Sequence, residues 1–275
     1  MTEPAVEVFD ATLAFGQRVL WRDLNLSVQR GEFLAVLGPN GSGKSSLLRV
    51  LLGQVALTSG SARVAGRQVR RGSAEVGYIP QQRPVDTSAT IRGRDLVRLG
   101  LDGHRWGLPL PSRRASSKVA EAIAAVDASS FADAPLGLMS GGEQQRLRIA
   151  QALVNDPAVL LCDEPLLSLD LHHQRAVCEL IDRQRHAQDV AVLFVTHEIN
   201  PVLPMVDRVL YLVGGRARLG TPDEVMRSDV LSELYDSPVQ ALRHGDRIVV
   251  LGGDDAPAHA HEHGEPELPR RGGRA

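Results

Sequence analysis

The chain has 275 residues, 43% of them hydrophobic and 23% charged, enough to bury one large core or one domain with an inserted lobe. Its formal net charge of −2 gives no electrostatic case for a nucleic-acid partner, since duplex binders show a strongly basic face. No apolar run approaches the ~20 residues a membrane-spanning helix needs, and Met1–Glu7 has neither the basic nor the apolar region of a secretory signal, so none is expected.

Val6–Phe15 alternates apolar and polar residues as a strand does, and Leu24, Leu26 and Val28 alternate again. Phe15 precedes a Gly16-Gln17 turn; its ring is either a core side chain or an exposed platform for an adenine. Phe33–Leu37 is an unbroken apolar run and predicts a buried strand, and Ser45–Leu52 predicts a helix. Between them Gly38, Pro39, Asn40, Gly41, Ser42, Gly43, Lys44, Ser45 and Ser46 fit G-x-x-x-x-G-K-[ST]. That strand–loop–helix setting is what a phosphate loop requires. The glycines let backbone N–H groups converge on an anion at the positive end of the helix dipole. Lys44 supplies a compact charge for terminal phosphates, and the Ser45 hydroxyl is a ligand for Mg²⁺. Only two lysines, Lys44 and Lys118, occur in an arginine-rich chain, which makes a chance match improbable. Nucleotide binding is the expectation.

Ala62–Ala65 predicts a further strand bounded by Ser59-Gly60 and Gly66-Arg67. Val76–Ile79 predicts another, stopped by Pro80 and followed by the polar loop Gln81–Pro84. Helical periodicity then dominates, over Thr90–Leu99, Ser117–Val126 and Glu143–Val154, and suggests an inserted lobe. The arginines of the lobe, Arg92, Arg94, Arg98, Arg113 and Arg114, form either a solvated face or a docking surface. Before the third of these helices stands Ser140-Gly141-Gly142-Glu143. Ser140 and Glu143 alone read as a capping box. Two glycines exceed what a cap needs, and they leave N–H groups bare at a helix N-terminus, a second anion site.

Ala158–Cys162 is a fully apolar strand ending in Asp163-Glu164-Pro165. Ligands of a doubly wound sheet collect at the carboxyl ends of its strands, which places this acid pair beside the phosphate loop. Neighbouring carboxylates on an extended segment point opposite ways, so Asp163 is assigned to Mg²⁺ and Glu164 to polarising a water. A long helix is expected over His172–Gln188, and a buried strand over Val190–Val195 ends in Thr196-His197-Glu198, putting His197 within reach of a γ-phosphate. Val206–Leu212 predicts a strand, Gly214-Gly215 a turn, Thr221–Glu224 a helix start, and Val239–Leu251 a hairpin about His244–Asp246. Cys162 and Cys178 read as two reduced, buried thiols, and so as a cytoplasmic protein. Beyond Gly252 no apolar periodicity remains and a disordered tail is expected. Within it His259, His261 and His263 are either a weak Zn²⁺ chelator or compositional chance.

Taken in order, these stretches resemble the ATP-binding subunit of an ABC transporter from residue 5 to about 250. Gly38–Ser46 resembles its Walker A loop and Gln81 its Q-loop, while Leu138–Gln144 resembles the signature and Leu160–Glu164 Walker B. Ser168-Leu169-Asp170 resembles the D-loop and His197 the switch histidine. Met139 and Glu143 stand where the signature more often has Leu and Gln, and Phe15 where an adenine-stacking Tyr is usual. The resemblance implies an α/β fold: a RecA-like P-loop NTPase core with an inserted helical subdomain, about 84–156, and an N-terminal antiparallel β subdomain. These make up an ABC ATPase domain over 1–252, with the tail at 253–275.

The resemblance further implies ATP and Mg²⁺ as cofactors, with Gln81 joining Ser45 and Asp163 around the metal and Glu164, His197 and Gln81 serving catalysis. Two copies are expected head to tail, Ser140, Gly141, Gly142 and Glu143 of one closing on the nucleotide of the other. The expected partners are a multi-span membrane permease at the cytoplasmic face of the membrane and, indirectly, an extracytoplasmic metal-binding protein; no nucleic acid is expected. Val195–Pro201 and the end from Thr221 to the hairpin resemble the zinc/manganese importer group. Iron–siderophore or cobalamin importer ATPases are the alternative, and a soluble non-transport ABC ATPase is a more distant one.

Overall fold

Two sheets and a set of helices organise the chain in a computed structural model that describes residues 3–81, 90–102, 112–167 and 169–252. The first two strands, β1 (Val6–Phe15) and β2 (Arg18–Val28), pair antiparallel from Val6↔Val28 to Phe15↔Arg18, with register shifts between. Strand β3 (Phe33–Leu37) is buried along its whole length and leads through the glycine loop into helix α1 (Lys44–Leu51). Then come β4 (Ser59–Val64), the two-residue β5 (Arg67–Gln68) and β6 (Val76–Ile79). Helices α2 (Gly93–Asp102), α3 (Arg113–Ala125) and α4 (Gly141–Leu153) separate β6 from β7 (Val159–Asp163). Helix α5 (Leu171–Gln188) joins β7 to β8 (Ala191–Val195). The remainder is β9 (Arg208–Val213), β10 (Arg216–Gly220), the short helices α6 (Pro222–Val225) and α7 (Ser228–Tyr235), and the hairpin of β11 (Val239–His244) and β12 (Arg247–Gly252).

The larger sheet runs β10-β9-β3-β8-β7-β6, parallel throughout except for β10 at its edge. The smaller, β2-β1-β4-β5, is antiparallel. The strands β3, β7 and β8 read as unbroken apolar runs because both of their faces are covered, as parallel strands require. Their pleat divides the side chains between two cores. Phe33, Ala35 and Leu37 of β3 pack with Leu160, Cys162, Val192 and Phe194 against the helical side. Leu34 and Val36 face the other way, with Leu161, Leu193, α1 and the antiparallel sheet. The rings of Phe33 and Phe194 stack at 5.6 Å between centroids.

The α/β fold expected from the sequence, with helices inserted between strands and an antiparallel β part, is the fold that forms. Boundaries move for local reasons. Helix α3 starts at Arg113, four residues before the expected Ser117, because the Ser112 side chain accepts from the Ala115 N–H and caps it there. Strand β10 carries too little apolar periodicity to be read in advance, being an edge strand that is exposed over Arg216–Arg218, and α7 is a separate helix beyond the start expected at Thr221–Glu224. Both cysteines are free and buried, and burial pushes the Cys178 thiol up to about 12 and the Cys162 thiol higher as well, so both are neutral packing groups. Gln82–Pro84, much of the Gly/Pro/Arg stretch of the lobe, Ser168 and the tail with His259, His261 and His263 lie outside the described residues.

Candidate functional site

Strands β3, β8 and β7 are neighbours in the sheet, so their carboxyl ends bring Gly38, Thr196 and Asp163 together. Backbone hydrogen bonds tie the three ends: Thr196 N donates to Val36 O at 3.2 Å, and Glu164 N donates to Val195 O at 3.0 Å. A cavity of about 1090 Å³ opens there, lined among others by Gly38, Pro39, Asn40, Gln81, Glu164 and His197.

The phosphate loop needs its glycines at two places. Gly38 has φ +137°, and a side chain on it would run into the carbonyl oxygen of Leu212. Gly43 caps α1 at φ +101°, where a Cβ would lie 2.9 Å from the Trp21 ring. Lys44 is only 5% exposed, and its ammonium donates to the carbonyl oxygens of Gly38 at 2.6 Å and Pro39 at 3.0 Å. The loop thus folds its cation back over itself. Arg18, which sequence reasoning did not single out, donates to Gly41 O at 2.9 Å and braces the loop from β2.

The Ser45 hydroxyl donates to Asp163 Oδ1 at 2.8 Å, and the Tyr78 hydroxyl to Asp163 Oδ2 at 3.4 Å. Burial first, and the Asp163 carboxylate second, push the Tyr78 phenol up to about 12, so it stays a proton donor. A hydroxyl and a carboxylate in contact form the oxygen donor set that Mg²⁺ takes, so Ser45 and Asp163 fit the metal assigned to them. Tyr78 was missed because nothing in Val76–Ile79 marks one strand residue as aimed at the acid one strand away.

The acid pair needs a correction. Asp163 ends β7, but Glu164 has φ +47° and is not extended. The two carboxylates part because the backbone turns into the left-handed region, not because of the strand pleat, at a strain on the order of 1 kcal/mol. Asp163 is buried, whereas Glu164 is half-buried and accepts from Gln81 Nε2 at 3.2 Å. His197 is exposed on a turn held by Thr196, whose hydroxyl accepts from Glu198 N at 3.2 Å and donates to Glu198 O at 2.9 Å. Phe15 is 53% exposed and belongs to neither core, which removes the core reading and leaves its ring open to a planar ligand.

Ser140, Gly141, Gly142 and Glu143 are not among the residues lining that cavity. They start α4, and the capping box is present: Ser140 Oγ accepts from Glu143 N at 3.3 Å, and the Glu143 carboxylate accepts from both Ser140 N and Ser140 Oγ at 2.8 Å. Gly142 lies so close to His173 that a Cβ would sit 2.6 Å from the ring. Asp170 caps α5, accepting from His173 N at 2.9 Å and sharing a 2.8 Å contact with His173 Nδ1. The backbone bond first, and the ring second, hold the Asp170 carboxyl below the usual carboxylate range. Leu138, 79% exposed, and Leu171, 71% exposed, flank this second cluster with apolar surface. Among the described residues no helix is long and apolar enough to cross a membrane.

The chain is similar to known proteins in sequence and in fold. A sequence model described as ABC transporter matches residues 21–167. A solved structure of a metal-chelate type ABC transporter in an inward-facing conformation is similar at 25% identity with a TM-score of 0.75, covering 90% of this chain and 96% of that one. The structure of cbiO1 from Clostridium perfringens, part of the ABC transporter complex cbiONQ, is similar in fold at 23% identity and a TM-score of 0.72, covering 84% of this chain and 94% of that one.

Proposed function

Since the chain belongs to the ABC transporter family and is an ATP-hydrolysing enzyme, we propose that it is the subunit that powers an importer, with a divalent metal ion, zinc or manganese, as the cargo. The catalytic domain spans 1–252, with the helical lobe at about 84–156. The observation that carries the catalytic reading is the Ser45–Asp163 contact at the end of β7 together with the Gln81–Glu164 contact on the wall of a cavity that His197 also lines. ATP seats its phosphates on the amides of Gly38–Ser46, with its adenine against Phe15. Lys44 leaves the Gly38 and Pro39 carbonyls for the terminal phosphates. Ser45, Asp163 and Gln81 would hold Mg²⁺, which would offset phosphate charge. Glu164 takes the proton of the attacking water as its oxygen bonds the γ-phosphorus; the bond to the bridging oxygen breaks and leaves ADP and phosphate. His197 orients the γ-phosphate.

A second copy of the chain supplies Ser140–Gly142, with Asp170 beside them, to close each site. The exposed Leu138 and Leu171 around that cluster support an interface there. Closure then moves the helical lobe against a multi-span permease at the cytoplasmic face of the membrane, with an extracytoplasmic metal-binding protein upstream. The metal-chelate type relative supports a metal-linked cargo, and the tail histidines His259, His261 and His263 offer weak Zn²⁺ ligands.

Glu164→Gln tests the site. It is expected to bind ATP, lose hydrolysis by about 10²-fold or more, and form a dimer with Mg·ATP by light scattering; hydrolysis at the parent rate overturns the assignment. Growth of a deletion strain on a panel of chelated metals tests the cargo. Rescue by zinc or manganese supports it, and rescue only by a ferric siderophore or by cobalamin overturns it.

A further inference from the structure

The cavity at the three strand ends has a far wall that the chemistry above does not use, and that wall is β12, from Ile248 to Gly252. Among the described residues β12 pairs only with β11, so no described strand lies along its other edge. Asn200 covers that edge: its Nδ2 donates to Ile248 O at 3.0 Å and its Oδ1 accepts from Ile248 N at 2.8 Å. One side-chain amide thereby stands in for a strand, satisfying a donor and an acceptor of the same residue. The outer edge of β11 is covered in the same manner from α7. Ser228 Oγ accepts from Ala241 N at 2.9 Å, and Ser232 Oγ accepts from Val239 N at 2.9 Å and donates to Val239 O at 3.1 Å. The hairpin is a slat clamped between α7 and the loop that follows β8.

That loop is the one carrying His197. Between His197 and Asn200 the chain is anchored by the buried Ile199 and by the Thr196–Glu198 bonds, and past Asn200 by the buried Val202. Among the described residues, the side-chain bonds that tie this turn to the hairpin are those of the Asn200 amide on β12. We infer that Asn200 is a positioning residue for His197, and that the β11–β12 hairpin is the fixed wall against which the loop over residues 196–200 is set. The inference rests on the reading of His197 as part of the hydrolytic site.

The test uses the full chain, with steady-state ATP hydrolysis, thermal melting and hydrogen exchange. Asn200→Ala and Asn200→Asp are each expected to lower kcat about tenfold while KM for ATP stays within about twofold, because the loop shifts and the phosphate loop does not. Asp restores nothing, since a carboxylate offers no donor to Ile248 O. The paired variant Ser228→Ala with Ser232→Ala loosens the hairpin from its far side and touches no residue of the loop. It is expected to raise exchange at residues 196–200 and to lower kcat in the same KM-independent way. A fall in melting temperature with kcat within about twofold of the parent, or exchange rising at 239–252 alone, overturns the inference. His197→Ala run alongside separates the two failures. If that variant is inactive and Asn200→Ala is not impaired, only the role of Asn200 falls; if His197→Ala is fully active, the reading of His197 as part of the site falls.

Discussion

The Gly38–Ser46 loop and the Ser140–Gly142 turn are both glycine-bearing starts of helices, and each is already engaged by a side chain of its own, of opposite charge. In the first, the Lys44 ammonium lies on the carbonyls of Gly38 and Pro39. In the second, the Glu143 carboxylate holds the Ser140 N–H and hydroxyl. An arriving phosphate therefore attracts the occupant of the first seat and repels the occupant of the second. Under the proposed pairing of two copies, the difference predicts an order of events: nucleotide settles on the phosphate loop first, and the signature of a second copy engages only when closure drives Glu143 aside.

The largest expected effect tests the first seat. Lys44→Ala removes a charge-assisted contact to phosphate and should weaken ATP binding by about 10²-fold in a fluorescent-nucleotide titration. An unchanged affinity breaks the comparison at its first term. Glu143→Gln keeps a capping side chain but removes the negative charge. It should lower the ATP concentration for half-maximal dimerisation of the Glu164→Gln protein by about 3–10-fold, more at low salt than at high. A higher requirement breaks the second term. Gly142→Ala sets a methyl group against a His173 ring that Asp170 holds in place, and should cost about 1 kcal/mol in thermal melts.

The smallest effect sharpens the contrast between the two acids. Asp163, unlike Glu143, is buried and held by the hydroxyls of Ser45 and Tyr78. The Tyr78 phenol titrates near 12 when folded against 10.0 ordinarily, so its stabilising contribution is complete below pH 10 and is lost as pH rises towards 12. Tyr78→Phe should flatten that alkaline fall in melting temperature and change neutral stability by less than about 1 kcal/mol. An unaltered alkaline limb would show that the phenol is not coupled to folding.

The parts of the molecule that were legible beforehand share a property: each is specified by neighbours in sequence. The runs Phe33–Leu37, Ala158–Cys162 and Val190–Val195 name buried parallel strands because both faces are apolar. The phosphate loop is named by residue types at fixed spacing, and Ser140 with Glu143 by a cap whose two halves lie three residues apart. Strand β10 was hidden because an edge strand exposes most of its side chains, and Tyr78 because its partner is 85 residues away.

What the amino-acid order determined on its own was the inventory of local chemistry: a loop for phosphate, an acid pair at a strand end, a histidine after another strand, and a glycine-rich helix start. Local backbone geometry and side-chain period suffice for these. Only the tertiary structure decided that Glu164 leaves β7 through a left-handed turn, that Lys44 and Glu143 sit in their own anion seats, and that Asn200 pins a distant hairpin beside His197. Those outcomes depend on which groups meet across the sheet, and on each buried donor finding an acceptor that sequence distance does not reveal.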